Sequence, residues 1–271
     1  MKIDFEDKTV VVIGGTSGIN LGIAEEFAES GAKLAVVSRS DEKVKNAIKV
    51  LSQYKNKAIG FAGDVREYLK VEEILKKIHE SFGEIDILVS GAAGNFPAPA
   101  SGLSSNGFKA VVDIDLVGTF HVMRSAYRYL RKPGASVINI SAPQAYVPIE
   151  LQIHVCAAKS GVDMITKVLA MEWGKDGIRV NSISPGPIAD TEGMRRLAPT
   201  EEILEATSES VPLKRIGTKS DIAKTAMFLS SKYSSYISGA VIPVDGGWSL
   251  GGASSLSAEM KKLFQLFDSS C

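Results

Sequence analysis

Seven short apolar runs recur along the chain, and the stretches between them carry apolar residues at helical spacing. The runs are Thr9–Ile13, Leu34–Ser38, Ala58–Phe61, Ile85–Val89, Ser136–Ile140, Arg179–Ile183 and Ala240–Val244. Runs this short and this continuously apolar suit strands buried on both faces, which requires a parallel sheet with helices on either side. Right-handed crossovers wind such a chain into a doubly wound α/β sheet, and its ligands bind outside the carboxyl ends of the strands. A chain of 271 residues suffices for one domain that buries roughly three-quarters of its unfolded surface.

Residues 1–271 contain no linker, repeat or low-complexity segment, so a single domain is expected. Two stretches break the rhythm. Pro185 to Pro212 is long for a connection, and a substrate lid is expected at about 188–212. The tail at 253–271 contains Ala258–Phe267, where Met260, Leu263, Phe264 and Phe267 share one helical face. That stripe needs burial against its own subunit, a neighbour or the pocket mouth.

The first run ends in Gly14-Gly15-Thr16-Ser17-Gly18-Ile19-Asn20, with a helix expected from near Leu21. A glycine-rich turn opening a helix aims backbone N–H groups and the helix dipole at a pyrophosphate. This makes the fold a single-domain Rossmann fold with a seven-stranded sheet, and Gly14, Thr16, Ser17, Gly18 and Ile19 its pyrophosphate contacts. At the end of the second run an NAD site offers a carboxylate to the ribose 2′-hydroxyl. Here stand Ser38-Arg39-Ser40. Arg39 can pair with a 2′-phosphate, which makes NADPH the expected cofactor; the alternative is a solvated loop arginine. Asp64, beside Val65, either accepts from the adenine amino group or caps the next helix.

Composition removes other classes of partner. Lys plus Arg number 31 and Asp plus Glu 31, with no basic run. No field therefore gathers nucleic acid or an anionic membrane, and no apolar stretch is long enough to insert in a bilayer. Cys156 and Cys271 cannot build a disulfide framework and have no metal-ligand spacing around them. With the first strand following so soon after Met1, no signal peptide is expected, and the location implied is cytoplasmic.

On these residues the chain resembles the short-chain dehydrogenase/reductase family over nearly its whole length. Gly14-x-x-x-Gly18-x-Asn20 resembles that family's glycine motif, with Asn where the third Gly stands and its side chain expected to crowd the pyrophosphate. Ser90-Gly91-Ala92-Ala93 occupies the place of Asn-Asn-Ala-Gly, which carries Ala92 into the cofactor set. Asn181 with Pro185-Gly186-Pro187-Ile188 is similar to the segment flanking the nicotinamide amide, and Asp245-Gly246-Gly247 to the C-terminal turn. The family's catalytic Asn, Ser, Tyr and Lys fall on Asp115, Ala142, Val155 and Lys159. Three of the four differ. Reduction of a ketone needs an acid on the developing alkoxide, and Val155 has no proton to give.

The branch of the family with this pattern is the 2,4-dienoyl-CoA reductases, especially the peroxisomal type. The resemblance rests on Ala92-Ala93-Gly94-Asn95-Phe96, Asp113-Ile114-Asp115, Gln152-x-His154, Lys159 and Pro187-Ile188-x-x-Thr191-Glu192-Gly193. It implies reduction of a conjugated acyl-CoA by NADPH, with the proton delivered to carbon by a water that Asp115 and Lys159 hold. Lys159 would also bind the nicotinamide ribose. His154 is either a hydrogen-bond donor or a packed histidine, and Asn95 and Phe96 would line the acyl channel. Arg195 and Arg196, with Lys214 and Arg215, would meet CoA phosphates or simply be solvated. Two alternatives stand beside this reading: a reductase of another carbonyl or enoyl substrate with Tyr146 or His154 as donor, and a non-catalytic NADP-binding protein. The resemblance further implies a homotetramer built through long helices around residues 106–130 and 153–173.

Overall fold

The computed structural model describes residues 3–197 and 200–253; the helix foreseen at Ala258–Phe267 lies outside them. Seven strands form one sheet: β1 (Thr9–Ile13), β2 (Lys33–Ser38), β3 (Ala58–Ala62), β4 (Ile87–Ser90), β5 (Ser136–Ile140), β6 (Arg179–Pro185) and β7 (Val241–Val244). All neighbours run parallel in the order β3-β2-β1-β4-β5-β6-β7. The chain winds outward from β1 to β3, then crosses back to β4 on the other side of β1. This is a Rossmann fold, and its switch point lies between β1 and β4.

The strand β1 explains why sequence periodicity worked. Its five residues are all buried, but they face opposite ways: Val10 and Val12 enter one core, Val11 and Ile13 the other. The first core is closed by α1 (Gly18–Glu29), α2 (Asp41–Leu51) and α9 (Lys219–Ser230). The second is closed by α3 (Tyr68–Phe82), α5 (Gly118–Ala126) and α6 (Ile153–Trp173). In α3, Val71, Ile74, Leu75 and Ile78 are buried at the i, i+3, i+4, i+7 spacing of an amphipathic helix. The remaining helices are α4 (Ser105–Val112), α7 (Glu192–Leu197) and α8 (Glu201–Ser210). Between α4 and α5 the chain makes one π-helical turn, Asp113–Val117.

Several element boundaries shift by one to three residues from expectation, and at α1 and β4 the reason is visible. Helix α1 starts at Gly18, three residues before Leu21; the first bond of its ladder runs from Leu21 N–H to the Ser17 carbonyl at 3.2 Å. Glycine and asparagine are poor helix formers, which hid that turn. Strand β4 starts at Ile87, because Ile85 instead makes an isolated bridge with Leu130.

The amino ends of β1 and β4 are joined by Asp86. Its carboxylate accepts from Thr9 N–H at 3.0 Å, Lys8 Nζ at 3.0 Å and Arg131 Nε at 2.6 Å. Burial pushes this carboxyl upward, but Arg131, Thr9 and Lys8 outweigh it and hold it below the usual range. A depressed carboxyl stabilises the fold above the unfolded value of about 3.9, and that stability is lost as pH falls through the folded value. Replacing Asp86 by Asn is expected to cost roughly 2 kcal/mol at neutral pH, with the deficit shrinking below about pH 4. Chemical denaturation at both pH values checks this; an equal deficit at each would mean the charge contributes nothing.

Candidate active site

At the switch point the loops after β1 and β4 nearly touch. Gly14 has φ +79°, and a Cβ there would stand 2.9 Å from the Ala92 nitrogen. A Cβ on Gly91 would lie 2.4 Å from the Asn20 side chain. Asn20 sits inside α1 and is buried, its Nδ2 donating to the Gly91 carbonyl at 2.8 Å. Asn20 lines the cleft where crowding of a pyrophosphate is expected, and its amide also ties α1 to the loop after β4. Its Oδ1 is buried without a partner among the described residues.

A cleft of about 450 Å³ opens over this junction. Ser17 precedes α1 in extended conformation, and its side chain caps nothing. The first N–H groups of α1 thus keep their capacity for an acceptor. Gly14, Thr16 and Ser17 line the cleft, whereas Gly18 and Ile19 are not in its wall. Gly18 instead lies beside the connection after β6, with Thr191 Cγ2 3.8 Å from the position of an added Cβ.

The cleft runs on past Ser38 and Arg39 to Lys43 in the first turn of α2. Arg39 is exposed. Lys43 was missed in the sequence because a lysine on an amphipathic helix reads as a solvated face; only the turn of α2 brings it beside Arg39. Asp64 does not cap α3, and it stands outside the cleft wall. Its carboxylate is taken by Arg66, with Nη2 at 2.6 Å and the backbone N–H at 3.0 Å, while α3 starts only at Tyr68. That Arg66 contact, more than burial, holds the Asp64 carboxyl below its ordinary value. Val65 does line the cleft, as do Ala92, Asn95 and Phe96.

Behind this wall lies the charged pair foreseen from sequence. The π turn turns Asp115 inward until it is 1% exposed. Its Oδ1 accepts from Gly94 N–H at 2.7 Å, so the loop after β4 is held by the carboxylate itself. Its Oδ2 is 3.3 Å from Lys159 Nζ, an ion pair too bent to count as a hydrogen bond. Lys159, on α6 and 6% exposed, donates to the Ile140 carbonyl at 3.0 Å. Val155, in the place of the family's tyrosine, is packed with Val111 and Ala158. The family's phenol position is thus an apolar contact here.

His154 is packed, as one of the two readings expects, but it is not satisfied. It is wholly buried, yet neither ring nitrogen has a partner among the described residues, and its ring packs on Phe96 at 4.6 Å. Asp115, Lys159 and His154 thus form a layer behind the cleft, reached through Gly94 and Phe96. Tyr146 reaches across to Ser184 Oγ at 3.0 Å, at the carboxyl end of β6.

The long connection after β6 contains α7 and α8. Pro185 ends β6, Gly186 N–H donates to the Val244 carbonyl at 3.1 Å, and Ile188 is buried. None of the three is in the cleft wall; Glu192 and Gly193 of α7 are. Arg195 is exposed and outside the wall. Two of the offered phosphate contacts are already paired, Lys214 with Glu209 at 3.4 Å and Arg215 with Asp221 at 2.8 Å.

A fold and site of this kind define a nucleotide-dependent oxidoreductase. The family profile described as enoyl-(acyl carrier protein) reductase matches residues 14–249. Among curated proteins, the chain is 44% identical to a peroxisomal 2,4-dienoyl-CoA reductase, (3E)-enoyl-CoA-producing, of Arabidopsis thaliana, covering 89% of this chain and 84% of that one. It is 39% identical to a probable 2,4-dienoyl-CoA reductase, (2E)-enoyl-CoA-producing, of Bacillus subtilis, covering 89% and 96%. A solved short-chain dehydrogenase from Bacillus anthracis superposes with TM-score 0.82 at 38% identity, covering 89% and 96%. The chain belongs to the short-chain dehydrogenase/reductase family, whose members bind a nicotinamide cofactor, and it is a reductase.

Gly14→Ala tests the junction. The strained backbone costs of the order of 1–3 kcal/mol, and the new methyl meets backbone that cannot yield. Expected are a lower Tm and a dinucleotide affinity reduced at least tenfold in a fluorescence titration. Wild-type values for both would show that the two loops stand further apart.

Proposed function

We propose that this protein reduces 2,4-dienoyl-CoA thioesters with NADPH. The observation that carries the reading is the buried Asp115–Lys159 pair, 3.3 Å apart with one carboxylate oxygen unmatched, beside a tyrosine position filled by Val155. The cleft residues fit the dinucleotide: uncapped N–H groups at α1, the unpartnered Oδ1 of Asn20, and the cations Arg39 and Lys43 at the far end. Gly14, Thr16, Ser17, Gly18, Ile19 and Ala92 would hold the phosphates and their approach; Ser38 and Arg39 the 2′-phosphate; Val65 the adenine side. Lys159, Pro185, Gly186 and Ile188 would flank the nicotinamide half, with Lys159 on its ribose. When bound, NADPH supplies the hydride.

Reduction at the far end of the diene spreads charge to the thioester oxygen, and the proton must then reach carbon. Val155 cannot deliver it. Asp115 Oδ2 has unused acceptor capacity and Lys159 an ammonium committed only to Ile140 and to Asp115. Together they would hold a water at that place and replenish its proton. Gly94 N–H fixes the carboxylate, and Asn95 and Phe96 form the adjoining wall, with His154 behind Phe96 as its support. Glu192 and Gly193 bring the lid at 188–212 to the cleft, leaving Arg195 at its outer side for the CoA moiety.

The alternative, a carbonyl or enoyl reductase with another donor, has one observation of its own: the Tyr146 hydroxyl on Ser184 at the carboxyl end of β6. NADPH oxidation with a medium-chain 2,4-dienoyl-CoA, the matching trans-2-enoyl-CoA and a 3-oxoacyl-CoA separates the two. Turnover of the diene alone is expected; reduction of the 3-oxo thioester would transfer the proton to Tyr146 and overturn the water mechanism.

Two substitutions sharpen this. Asp115→Ala is expected to lower kcat at least a hundredfold, within the ~10²–10⁴ range of a lost proton-transfer group. Turnover near wild type would remove Asp115 from the mechanism. Arg39→Ala is expected to raise the Kd for NADPH about tenfold, equivalent to roughly 1.4 kcal/mol, and to leave that for NADH little changed. An equal loss for both would show that Arg39 does not read the 2′-phosphate.

The expected homotetramer draws support from the outer faces of α5 and α6. There Phe120, Met164 and Val168 expose apolar surface along a groove that reaches Trp173. No described helix is long and apolar enough to cross a membrane. The plant relative's name places that protein in peroxisomes, and a peroxisomal lumen suits this reading as well as the cytoplasm does.

A further inference from the structure

The loop after β3 owes its position to a residue that the reaction just described does not use. Val65 is buried and lines the cleft on the side assigned above to adenine. It follows β3 and precedes α3, so its peptide belongs to neither element. Among the described residues no backbone N–H reaches the Val65 carbonyl. A donor comes instead from α5: His121 Nδ1 stands 2.9 Å from that oxygen. A carbonyl oxygen can only accept, so Nδ1 carries the hydrogen and donates it.

Packing supports the same wall from behind. Gly118 opens α5, and a Cβ there would stand 2.5 Å from Val65 Cγ2, so the Val65 side chain lies directly against the helix. The imidazole itself is steadied by Tyr68, the first residue of α3, whose ring meets it edge-on at 5.5 Å. The Arg124 guanidinium covers the Tyr68 ring at 4.9 Å. Earlier in the same stretch, Asp115 holds Gly94 N–H of the loop after β4 at 2.7 Å. The segment from Asp115 to His121 thus braces two loops that line the cleft, one with a carboxylate and one with an imidazole.

We propose that His121 is a positioning residue for the adenine half of the dinucleotide. Its Nδ1–H sets the Val65 peptide, and Gly118 sets how closely the Val65 side chain approaches α5. Together they fix the surface on which the adenine ring would lie. The inference rests on the cleft being a dinucleotide site, whatever the acyl substrate. Without the imidazole the Val65 carbonyl is a part-buried acceptor with no donor, and the loop turns it toward water. Gly63 N–H is fixed on the Ser38 carbonyl at 2.9 Å, so that turn is confined to the few residues before Tyr68 and moves Val65.

Two substitutions separate the hydrogen bond from bulk. His121→Leu keeps a large side chain and removes the donor, whereas His121→Asn offers an amide N–H close to where Nδ1–H stands. His121→Leu is expected to weaken binding of adenosine 2′,5′-bisphosphate, which carries the adenine end of NADPH alone, about tenfold by titration calorimetry. KM for NADPH rises by about the same factor. At saturating NADPH kcat stays within about twofold, the mark of binding lost equally in ground and transition states. His121→Asn is expected to bring both constants back to within about threefold of wild type. Equal affinity in wild type and His121→Leu overturns the proposal. So does a His121→Asn variant as weak as His121→Leu, because packing and not the donor would then set the wall.

If His121→Leu does not fold, wild type labelled with ¹⁵N-histidine still decides, with His121→Asn assigning the signal among the three histidines. A hydrogen on Nδ1 at neutral pH, with a resonance that moves when adenosine 2′,5′-bisphosphate is added, supports the proposal. An Nδ1 without hydrogen, or one that does not respond, overturns it. Failure of the dinucleotide reading looks different: wild type would bind neither NADPH nor the bisphosphate, and the proposal would fall with it. If wild type binds both and does not reduce the diene, only the acyl substrate is wrong, and the calorimetric comparison still decides the part played by His121.

Discussion

The site depends on how closely two parallel strands let their following loops approach. Asn20 inside α1 bonds the Gly91 carbonyl at 2.8 Å, and Gly14 leaves no space for a side chain between β1 and the backbone at Ala92. This contact places the amino end of α1 at the mouth of the switch point. It also fixes the start of the loop whose Gly94 is held by Asp115. The binding cleft and the charged layer behind it are therefore parts of one hydrogen-bonded frame, running from α1 through β4 to the π turn.

The buried pair in that frame is not there for stability alone. Two charges removed from water gain little over well-packed apolar groups of similar volume. Asp115 and Lys159 are each nearly inaccessible, and their contact is bent. Another buried carboxylate, Asp86, differs in kind: three donors saturate it at the amino ends of the strands, far from the crevice. One fold thus keeps a satisfied carboxylate where strands must be held and an under-satisfied one where chemistry is proposed. In place of the family's tyrosine, Val155 packs with Val111 and Ala158, which removes a proton donor from this part of α6.

Much of this was legible from the order of residues. Runs apolar at every position specify strands covered on both faces, and a glycine turn between a strand and a helix specifies a phosphate cradle; both are local patterns. Asp115 and Lys159 stood out because each sits at a motif position where residue type alone restricts the chemistry. Less legible were the features that depend on direction. Lys43 and Glu192 read as solvated helix residues until α2 and α7 bring them to the cleft. Asp64 read as a ligand or a cap until Arg66 took its carboxylate. Arg215 read as a phosphate contact until Asp221, capping α9, proved to hold it.

By itself, then, the sequence determined the strand and helix elements, the parallel winding, the position of the crevice, and the identity of the two charges in its depth. The elements, winding and crevice follow from periodicity and residue chemistry, which act over a few neighbours; the two charges follow from the resemblance to the family's motif positions. Tertiary structure alone decided that Asn20 faces Gly91, that a π turn buries Asp115, and that His154 lies behind Phe96 with both nitrogens unmatched. Each of these joins residues at least eighteen positions apart or turns on a one-residue change in helical winding. Side-chain direction of that kind is set by packing against distant elements, and no local pattern encodes it.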